Sequence, residues 1–258
     1  MNKLLPADFY HMYSRKWFWL CSVAMMLIAV MLCIMQYTAM DYAVAIDRVI
    51  FLPMAFYGVA LAALISIFVG EDFSDGVIKN KIISGKTRRA VYFSNLIVSW
   101  SACIAVYVLT IATSLAIGVN CFEINVTAGE IINFAVLGMF TCLTYGSIYC
   151  TITILNGNKA IAITVCMGLA FFLLFLCLHS NSMLVQQEYV DGVINPHYVT
   201  GIKRTIYEVL HDVNPFGQAA QLSDMTCINP VRFVVVDFIW MIVTSFLGGL
   251  FFDKKDIK

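Results

Sequence analysis

Side chains that could perform chemistry are few in this sequence and lie far apart. The four histidines are scattered, and the nine cysteines include no Cys-x-x-Cys pair, so the spacing disfavours a zinc site. Gly85, Lys86 and Thr87 resemble the end of a phosphate-binding loop, but that motif requires another glycine where Asn80 stands. We therefore expect this chain to bind no metal, no nucleotide and no other cofactor.

Catalysis would need several polar groups at one place: a nucleophile with a base, paired carboxylates, or metal ligands. The long apolar segments of the chain contain one carboxylate, Asp237, and no histidine well inside any of them. We therefore expect the chain not to be an enzyme. An intramembrane protease or lipid-modifying transferase remains the third alternative for its function.

Asp237 lies within the last apolar segment. An acid in the hydrocarbon of a bilayer costs about 2.5 to 3.5 kcal/mol, so this carboxylate should face protein or water. It could line a translocation path or contact a helix of a second chain. It could equally hydrogen-bond a neighbouring group near the outer interface, and the sequence leaves these alternatives open.

The composition excludes an ordinary soluble protein. Of the 258 residues, 61% are hydrophobic and 12% are charged, whereas soluble domains carry about 25% charged residues. Lysine and arginine together number 16, as do the acids, so the balanced charge gives no reason to expect a nucleic-acid partner. The hydrophobic excess predicts a protein embedded in lipid.

Six apolar runs are long enough to cross a bilayer as helices. They cover residues of about 17–36, 49–69, 91–118, 131–153, 160–178 and 231–252. None alternates strictly between apolar and polar residues, which disfavours a β-barrel. The first run is also too long for a signal peptide, and we expect it to stay in the mature protein. The sequence thus predicts an all-α membrane protein with one transmembrane domain over residues 1–258.

Basic residues predict the orientation, because lysine and arginine near span ends are held in the cytoplasm. Twelve fall in one set of connecting segments and four in the other. The twelve are Lys3, Arg15, Lys16, Lys79, Lys81, Lys86, Arg88, Arg89, Lys159, Lys254, Lys255 and Lys258; the four are Arg48, Lys203, Arg204 and Arg232. This asymmetry predicts a multi-pass protein of the cell membrane with both termini in the cytoplasm.

Two of the connecting segments are predicted to have structure of their own. Residues 1–16 mix apolar and polar side chains and end at Arg15 and Lys16, which is typical of an interfacial helix. Residues 179–230 are too long for a simple turn and predict one or two outer helices. Cys121 and Cys227 both fall on the predicted outer side, where an oxidising exterior would allow a disulfide between them.

The segment 70–90, GEDFSDGVIKNKIISGKTRRA, joins the second and third predicted spans. Phe73 and Val77, and then Ile78 and Ile82, are four residues apart, which predicts a short amphipathic helix. Acids precede it and bases follow it, as the helix dipole favours. Such a helix could be presented to a cytoplasmic partner or could lie in the lipid headgroups.

Residues 68–97 resemble the corresponding loop of type-2 ABC exporter permeases. The shared pattern is an acid with an aromatic residue, an Asp-Gly pair, an apolar and basic helix, a glycine followed by arginine, and a tyrosine-led entry into the third span. These positions are Glu71, Asp72 and Phe73; Asp75 and Gly76; Val77 to Ile83; Gly85 with Arg88 or Arg89; and Tyr92 with Ser94 and Asn95. The six-span plan extends the resemblance over the whole chain.

The resemblance implies that the segment around residues 71–84 is a coupling helix docked in a separate ABC ATPase subunit. Two ATPase copies, which bind ATP and Mg, would serve two permease chains, either a homodimer or a heterodimer with a related permease. The implied contact residues are Glu71, Asp72, Phe73, Asp75, Gly76, Val77, Ile78, Lys79, Lys81 and Ile82. Among such permeases the chain is similar to small bacterial ones that export amphipathic or antimicrobial peptides, such as phenol-soluble modulins.

The main alternative is an ion-independent secondary transporter or a channel. Transporters that are driven by ions or protons commonly carry intramembrane charges for that coupling. The predicted spans of this chain offer only Asp237 for that purpose. The scarcity of buried charge therefore favours an exporter driven by a partner ATPase.

Overall fold

The structure is a computed structural model that describes residues 4–39, 44–186, 188–190, 193–195, 198–227 and 229–255. Almost all of them are helical. In chain order the elements are α1 (Leu4–Ser14), α2 (Lys16–Ala39), α3 (Asp47–Ile50), α4 (Met54–Ser74), α5 (Val77–Ile83), α6 (Arg88–Cys121), α7 (Ala128–Asn156), α8 (Lys159–Leu184), β1 (Tyr189–Val190), β2 (Val193–Ile194), α9 (Gly201–Val213), α10 (Pro215–Ser223) and α11 (Pro230–Lys254). Residues 1–3 of the predicted interfacial helix, residues 256–258 and parts of the predicted outer loop lie outside the described residues.

Six helical segments are long and apolar enough to cross a membrane: α2, α3 with α4, α6, α7, α8 and α11. This confirms the prediction of a mainly helical protein with six such segments. Each contains its predicted apolar run and extends beyond it by a few residues. Four of the long helices, α6, α7, α8 and α11, begin at polar N-caps, as at Thr127, whose side chain accepts from the backbone of Glu130 in a capping box.

The second span is broken near its start. Its predicted run begins at Val49, but the chain forms α3, makes a turn at Phe51 to Pro53, and then starts α4. Pro53 occupies the N-cap of α4, where its missing backbone N–H costs nothing and its fixed φ suits a helix start. The proline therefore determines where the long helix begins.

The centre of the bundle is formed by α4 and α7. Helix α4 packs against α2, α7, α8 and α10, and α7 packs against α4, α6 and α11. Tyr57, Leu61, Tyr145 and Tyr149 are among the fully buried side chains at this centre. By contrast, α2, α8 and α11 expose many large apolar side chains, such as Phe175 on α8 and Ile242 on α11. Those surfaces are suited to contact with lipid.

Connections alternate between two ends of the bundle. At one end lie α5, the turn between α7 and α8, and the two described termini, which contact one another through ion pairs such as Lys159–Glu71 and Arg89–Asp253. We call this the α5 end. At the other end, called the α9 end, lie α3, the turn between α6 and α7, α9 and α10.

The two ends differ in charge. Among the described residues, the α5 end has ten basic and five acidic side chains, and the α9 end has four basic and seven acidic ones. Basic residues favour the cytoplasmic side of a membrane. This charge distribution supports a cytoplasmic α5 end, which stays a prediction.

Candidate functional site

The site is built where α4 turns into α5. The predicted helix over residues 71–84 is in fact divided, because residues up to Ser74 complete α4 and α5 begins only at Val77. Gly76 between them has a φ of 70°, a left-handed conformation that a helix cannot continue through and that glycine adopts readily. A second left-handed glycine, Gly85 with a φ of 85°, ends α5.

The division places the acids at an unfavourable position. Glu71 and Asp72 lie in the last turn of α4 rather than the first turn of α5. The carbonyl end of a helix carries partial negative charge, which disfavours carboxylates there. Both acids therefore need nearby cations, and the structure supplies them from three other helices.

Lys81 of α5 lies between two buried carboxylates. Its Nζ is 2.9 Å from Oδ1 of Asp8 on α1 and 3.3 Å from Oδ2 of Asp72 on α4. The Asp72 side chain is only 1% exposed, and the other two are also largely shielded from water. A buried acid without a partner is costly, so these three groups depend on one another.

Two further groups lie next to the buried carboxylates. Ser94 of α6 donates from Oγ to Oδ2 of Asp8 at 2.6 Å. His11 of α1 places Nδ1 3.3 Å from Oδ1 of Asp72. Helices α1, α4, α5 and α6 are thus joined through two carboxyl groups.

Glu71 and Asp75 form the outer part of the same arrangement. Glu71 accepts from Nζ of Lys159 on α8 at 2.9 Å and from Nε1 of Trp17 on α2 at 3.0 Å. Arg15 lies between the two acids, 3.6 Å from Glu71 and 3.2 Å from Asp75. We name the whole set the acid–base cluster; its members are Asp8, His11, Arg15, Glu71, Asp72, Asp75, Lys81 and Lys159.

The end of α11 adds a second connection at this end of the bundle. Arg88 donates to the carbonyl oxygens of Asp253 and Lys255, and Arg89 pairs with Asp253 at 2.9 Å. Lys255 donates to the carbonyl of Ile154 at 3.0 Å and lies over the Phe73 ring, 4.9 Å from its centre. Burial lowers the pKa of Lys255 from its ordinary value. With the acid–base cluster, these contacts join all six long helical segments near α5.

The predicted ATPase-contact residues divide into two groups in the structure. Asp72 and Ile78 are buried in the protein itself, and Glu71, Phe73, Gly76, Val77, Lys81 and Ile82 are partly covered. Asp75 and Lys79 are exposed. Their predicted role as partner contacts stays a prediction. Asp72 and Lys81 contact α1 and Glu71 contacts α8, which leaves little of these side chains for another protein.

The exposed surface of α5 lies mainly beyond the predicted set. We call it the α5 tip and define it as Lys79, Asn80, Ile83, Ser84 and Gly85, all of which are exposed. Ile83 is 82% exposed, although it lies outside the six long apolar segments. What distinguishes Ile83 from other exposed apolar side chains is its place on a short helix that ion pairs hold against the bundle.

Residues 85–87 have a structural role that accounts for their likeness to a phosphate-binding loop. Gly85 ends α5 in the left-handed conformation, and the backbone N–H of Lys86 donates to Lys81 O at 3.2 Å, which closes the helix end. Thr87 is the N-cap of α6 and accepts from the backbone N–H of Ala90. These residues terminate one helix and start the next.

Asp237 is fully buried between α11 and α7. Its Oδ1 accepts from Oγ1 of Thr144 at 2.8 Å, and its Oδ2 accepts from Oγ1 of Thr141 at 3.4 Å. Of the alternatives from the sequence, this geometry corresponds to a hydrogen bond with a neighbouring helix of the same chain. Cys121 and Cys227 are both free thiols in the structure.

Sequence reasoning missed the partners of the acids. Asp8 and His11 are three residues apart on α1, and Arg15 follows four residues later, just after the helix ends; this spacing could have indicated a polar contact. In the sequence, Lys159 serves only as a marker of orientation. Nothing in the sequence pairs it with Glu71, which is 88 residues away.

The chain matches no known protein family, and no curated protein matches it. Its function therefore has to be inferred from the geometry of the α5 end and from the resemblance carried by residues 68–97.

Proposed function

We propose that this chain is the membrane-spanning subunit of an ATP-driven exporter of the type-2 ABC class. A separate ATPase subunit would dock on the α5 tip, with two copies of each chain in the assembly. The observation that carries the proposal is the exposed Ile83 on a short helix that is otherwise fixed to the bundle. Six apolar helical segments and the basic α5 end support the membrane setting.

The docking residues proposed now differ from those that the resemblance implied. The α5 tip would supply an apolar contact at Ile83 and polar contacts at Lys79 and Asn80, while Asp75 would lie at the edge. Asp72, Ile78 and Lys81 would act inside the permease by holding α5 in place. This assignment follows their burial and their ion pairs.

Movement of α5 would reach the membrane through the acid–base cluster. Lys81 connects α5 directly to α1 and α4, and Glu71 connects α4 to α8 through Lys159. A displacement imposed on the α5 tip by ATP-driven closure would therefore move several spans together. Such coupling needs a rigid connection, and buried ion pairs with good geometry provide one.

The proposed cargo is an amphipathic peptide. The resemblance places the path along the first, second and fifth spans, here α2, α4 and α8. Between α2 and α4 lies a groove of about 280 Å³ whose lining includes Leu20, Met25 and Leu64 and no charged side chain. An apolar groove on these helices suits the apolar face of such a peptide.

A matched pair of substitutions tests the docking surface. Ile83→Asp places a charge on the α5 tip, and Ile202→Asp does the same at the α9 end, where Ile202 is 81% exposed. Burying an isoleucine contributes about 1.5 to 3 kcal/mol, so Ile83→Asp should weaken ATPase binding by at least about tenfold. The measurement is the amount of ATPase subunit, and its ATP hydrolysis, that copurifies with the tagged chain.

Ile202→Asp should leave copurification unchanged. Equal losses with both variants would refute docking at the α5 tip. Purification of the full-length chain from its native membrane without any ATP-hydrolysing subunit would refute the exporter and would favour a secondary transporter or channel. Stimulation of ATP hydrolysis by amphipathic peptides, compared with scrambled peptides of the same composition, would test the cargo.

A further inference from the structure

A pocket of about 510 Å³ opens at the α9 end, away from the acid–base cluster. Its walls come from the end of α8, from α9 and α10, and from the first turn of α11. The lining includes the charged and polar side chains of Glu208, His211, Asp212, Gln221 and Arg232, with Phe233 as an apolar wall. The volume lies within the range of small-molecule sites, about 300 to 1,000 Å³.

His211 is held firmly in the pocket wall and is 8% exposed. The start of α10 packs directly against it, since a Cβ at Gly217 would overlap the carbonyl oxygen of His211. Nδ1 of the ring lies 3.4 Å from Oγ of Ser180 on α8. The ring therefore has a fixed orientation, with Nδ1 directed towards α8.

The hydrogen-bond network assigns the tautomer of His211. The hydroxyl of Ser180 donates to the carbonyl of Cys177 at 2.9 Å, which is shorter than its 3.4 Å separation from Nδ1. On this basis we assign the proton to Nδ1, which then donates to Ser180. Nε2 has no hydrogen-bond partner among the residues that the structure describes, so it is a free acceptor in the pocket wall.

The two acids of the pocket keep acceptor capacity although both are paired. Asp212 accepts from Nε2 of Gln221 at 2.9 Å and pairs with Arg232 at 3.1 Å, using a different oxygen for each. Glu208 pairs with Arg204 through Oε1 at 3.1 Å. Each carboxylate oxygen can accept two hydrogen bonds, so Oε2 of Glu208 and both oxygens of Asp212 can accept more.

The electrostatics favour a cation. The lining has two carboxylates and one guanidinium group, and burial lowers the pKa of His211, which keeps its ring neutral near pH 7. The pocket also lies at the end of the bundle where the described acids outnumber the bases. An anionic ligand would meet three groups of acceptors in a lining with one more acid than base, since Arg204, the partner of Glu208, is not part of the lining.

We propose that this pocket binds a primary ammonium group, which is held by Nε2 of His211 and by the carboxylates of Glu208 and Asp212. An ammonium group has three N–H donors and no acceptor, which matches three acceptor groups in one wall. The ammonium could belong to a small amine or to the amino terminus of a peptide. The inference does not depend on the ATPase partnership.

Calorimetry on the full chain in detergent micelles tests the proposal with paired probes. Ethanolamine and ethylene glycol differ only in an ammonium against a hydroxyl group, and dialanine amide can be compared with its N-acetylated form. We expect ethanolamine, dialanine amide or both to bind at pH 7.5, and the neutral probe of that pair to bind at least tenfold more weakly. Binding of dialanine amide alone would identify a peptide site, and binding of ethanolamine alone a small-amine site.

Glu208→Gln and Glu123→Gln form the matched pair of variants. Both replace an exposed acid at the α9 end, but Glu123 does not line the pocket. Glu208→Gln should weaken ammonium binding about tenfold, and Glu123→Gln should not change it. Thermal melts of each variant would show whether its fold is retained.

The pH dependence gives a second readout. The groups that face His211 are Ser180 from α8, Glu208 and Asp212 from α9, Gln221 from α10 and Arg232 from α11. Burial lowers the pKa of His211, so its ring gains a proton only below the usual range of histidine. That protonation would remove its acceptor, so binding should weaken as the pH is lowered stepwise from 7.5. His211→Gln, which keeps an acceptor that does not titrate, should lack this step.

Several results would overturn the proposal. The first is that each ammonium probe binds no more tightly than its neutral counterpart, or that neither ammonium probe binds. The second is that acetate binds in preference to ethanolamine. The third is that Glu208→Gln and Glu123→Gln change binding equally.

Discussion

The substitution Lys81→Met removes the cation that lies between Asp8 and Asp72. Nζ is 2.9 Å from one carboxylate and 3.3 Å from the other, so the two acid oxygens are close together once the charge is gone. The Asp8 and Asp72 side chains are 5% and 1% exposed, so water cannot replace the lysine. Methionine keeps the length of the side chain and its contacts, which confines the change to the charge.

The expected cost follows from the burial. Removing one partner of a buried ion pair costs about 3 to 5 kcal/mol, because the remaining charge is left uncompensated. Lys81 is 12% exposed, so we take the lower value, about 3 kcal/mol, which corresponds to about a 150-fold change in an equilibrium constant. The loss should be concentrated in α5 and in the end of α4.

Amide hydrogen exchange measured by mass spectrometry, on the full chain in detergent micelles, reports this local stability. Exchange of the segment 77–86 should become about 100-fold faster in Lys81→Met. Lys79→Met is the matched control, because Lys79 lies on the same helix, is exposed and has no ion-pair partner among the described residues. It should change the exchange by less than about threefold.

A triple variant distinguishes the effect of the charges on local stability from the effect of side-chain shape. Asp8→Asn and Asp72→Asn, added to Lys81→Met, remove all three charges and should restore most of the protection, since replacing both sides of a buried pair is often nearly neutral. Equal exchange in Lys81→Met and Lys79→Met would refute the reasoning. So would a triple variant less protected than Lys81→Met alone.

Three further predictions concern glycines and the acid of α11. Gly58→Ala should lower the melting temperature by several degrees, because a Cβ there would overlap the buried Phe216 ring. The expected cost is about 1 to 3 kcal/mol of unfolding free energy. Gly168→Ala is the control; its Cβ would meet nothing within 4 Å, so it should be neutral or stabilising. Gly85→Ala forces a side chain into a φ of 85° and should cost about 1 to 2 kcal/mol, seen as faster amide exchange in α5. Asp237→Asn keeps an acceptor for Thr144 and removes a charge that is costly to bury, so its melting temperature should stay equal or rise; a fall equivalent to more than about 1 kcal/mol would show that the carboxylate is needed in its ionised form.

The six apolar segments could be predicted because a bilayer imposes a simple requirement. A segment that crosses hydrocarbon needs about 20 apolar residues in a helix that satisfies its own backbone. That requirement concerns only residues that are neighbours in the sequence, so it predicts every long apolar segment. It did not reveal the break before Met54, where Pro53 stands inside an otherwise continuous apolar run.

The acid–base cluster could be predicted only in part. The acids of segment 70–90 were recognised as important, and their order suggested one helix with a favourable dipole. The left-handed conformation of Gly76 reverses that interpretation, because it leaves Glu71 and Asp72 at the carbonyl end of α4. Their cations come from residues up to 88 positions away, and no spacing rule connects residues that are separated by whole membrane spans.

The α9 pocket was not predicted for a related reason. His211, Asp212 and Glu208 lie on one face of α9, where they could be taken for the solvated face of an amphipathic helix. The free acceptor at Nε2 exists only because Ser180, on a different helix, fixes the ring. A site whose acceptors are oriented by neighbouring helices can be recognised only once those helices are placed.

The position of the acids explains why α5 is fixed to the bundle rather than attached by a flexible loop. Carboxylates at the carbonyl end of α4 are disfavoured by the helix dipole and by burial, so they bind any cation that can reach them. Lys81 reaches them only if α5 folds back beside α1, and Lys159 reaches them only if α8 starts beside α4. The same unfavourable placement therefore holds three helices against the end of α4. A partner that pushes on Ile83 would have to move these helices or break their ion pairs, which are costly to open. In the proposed exporter, moving the helices would be the transport step.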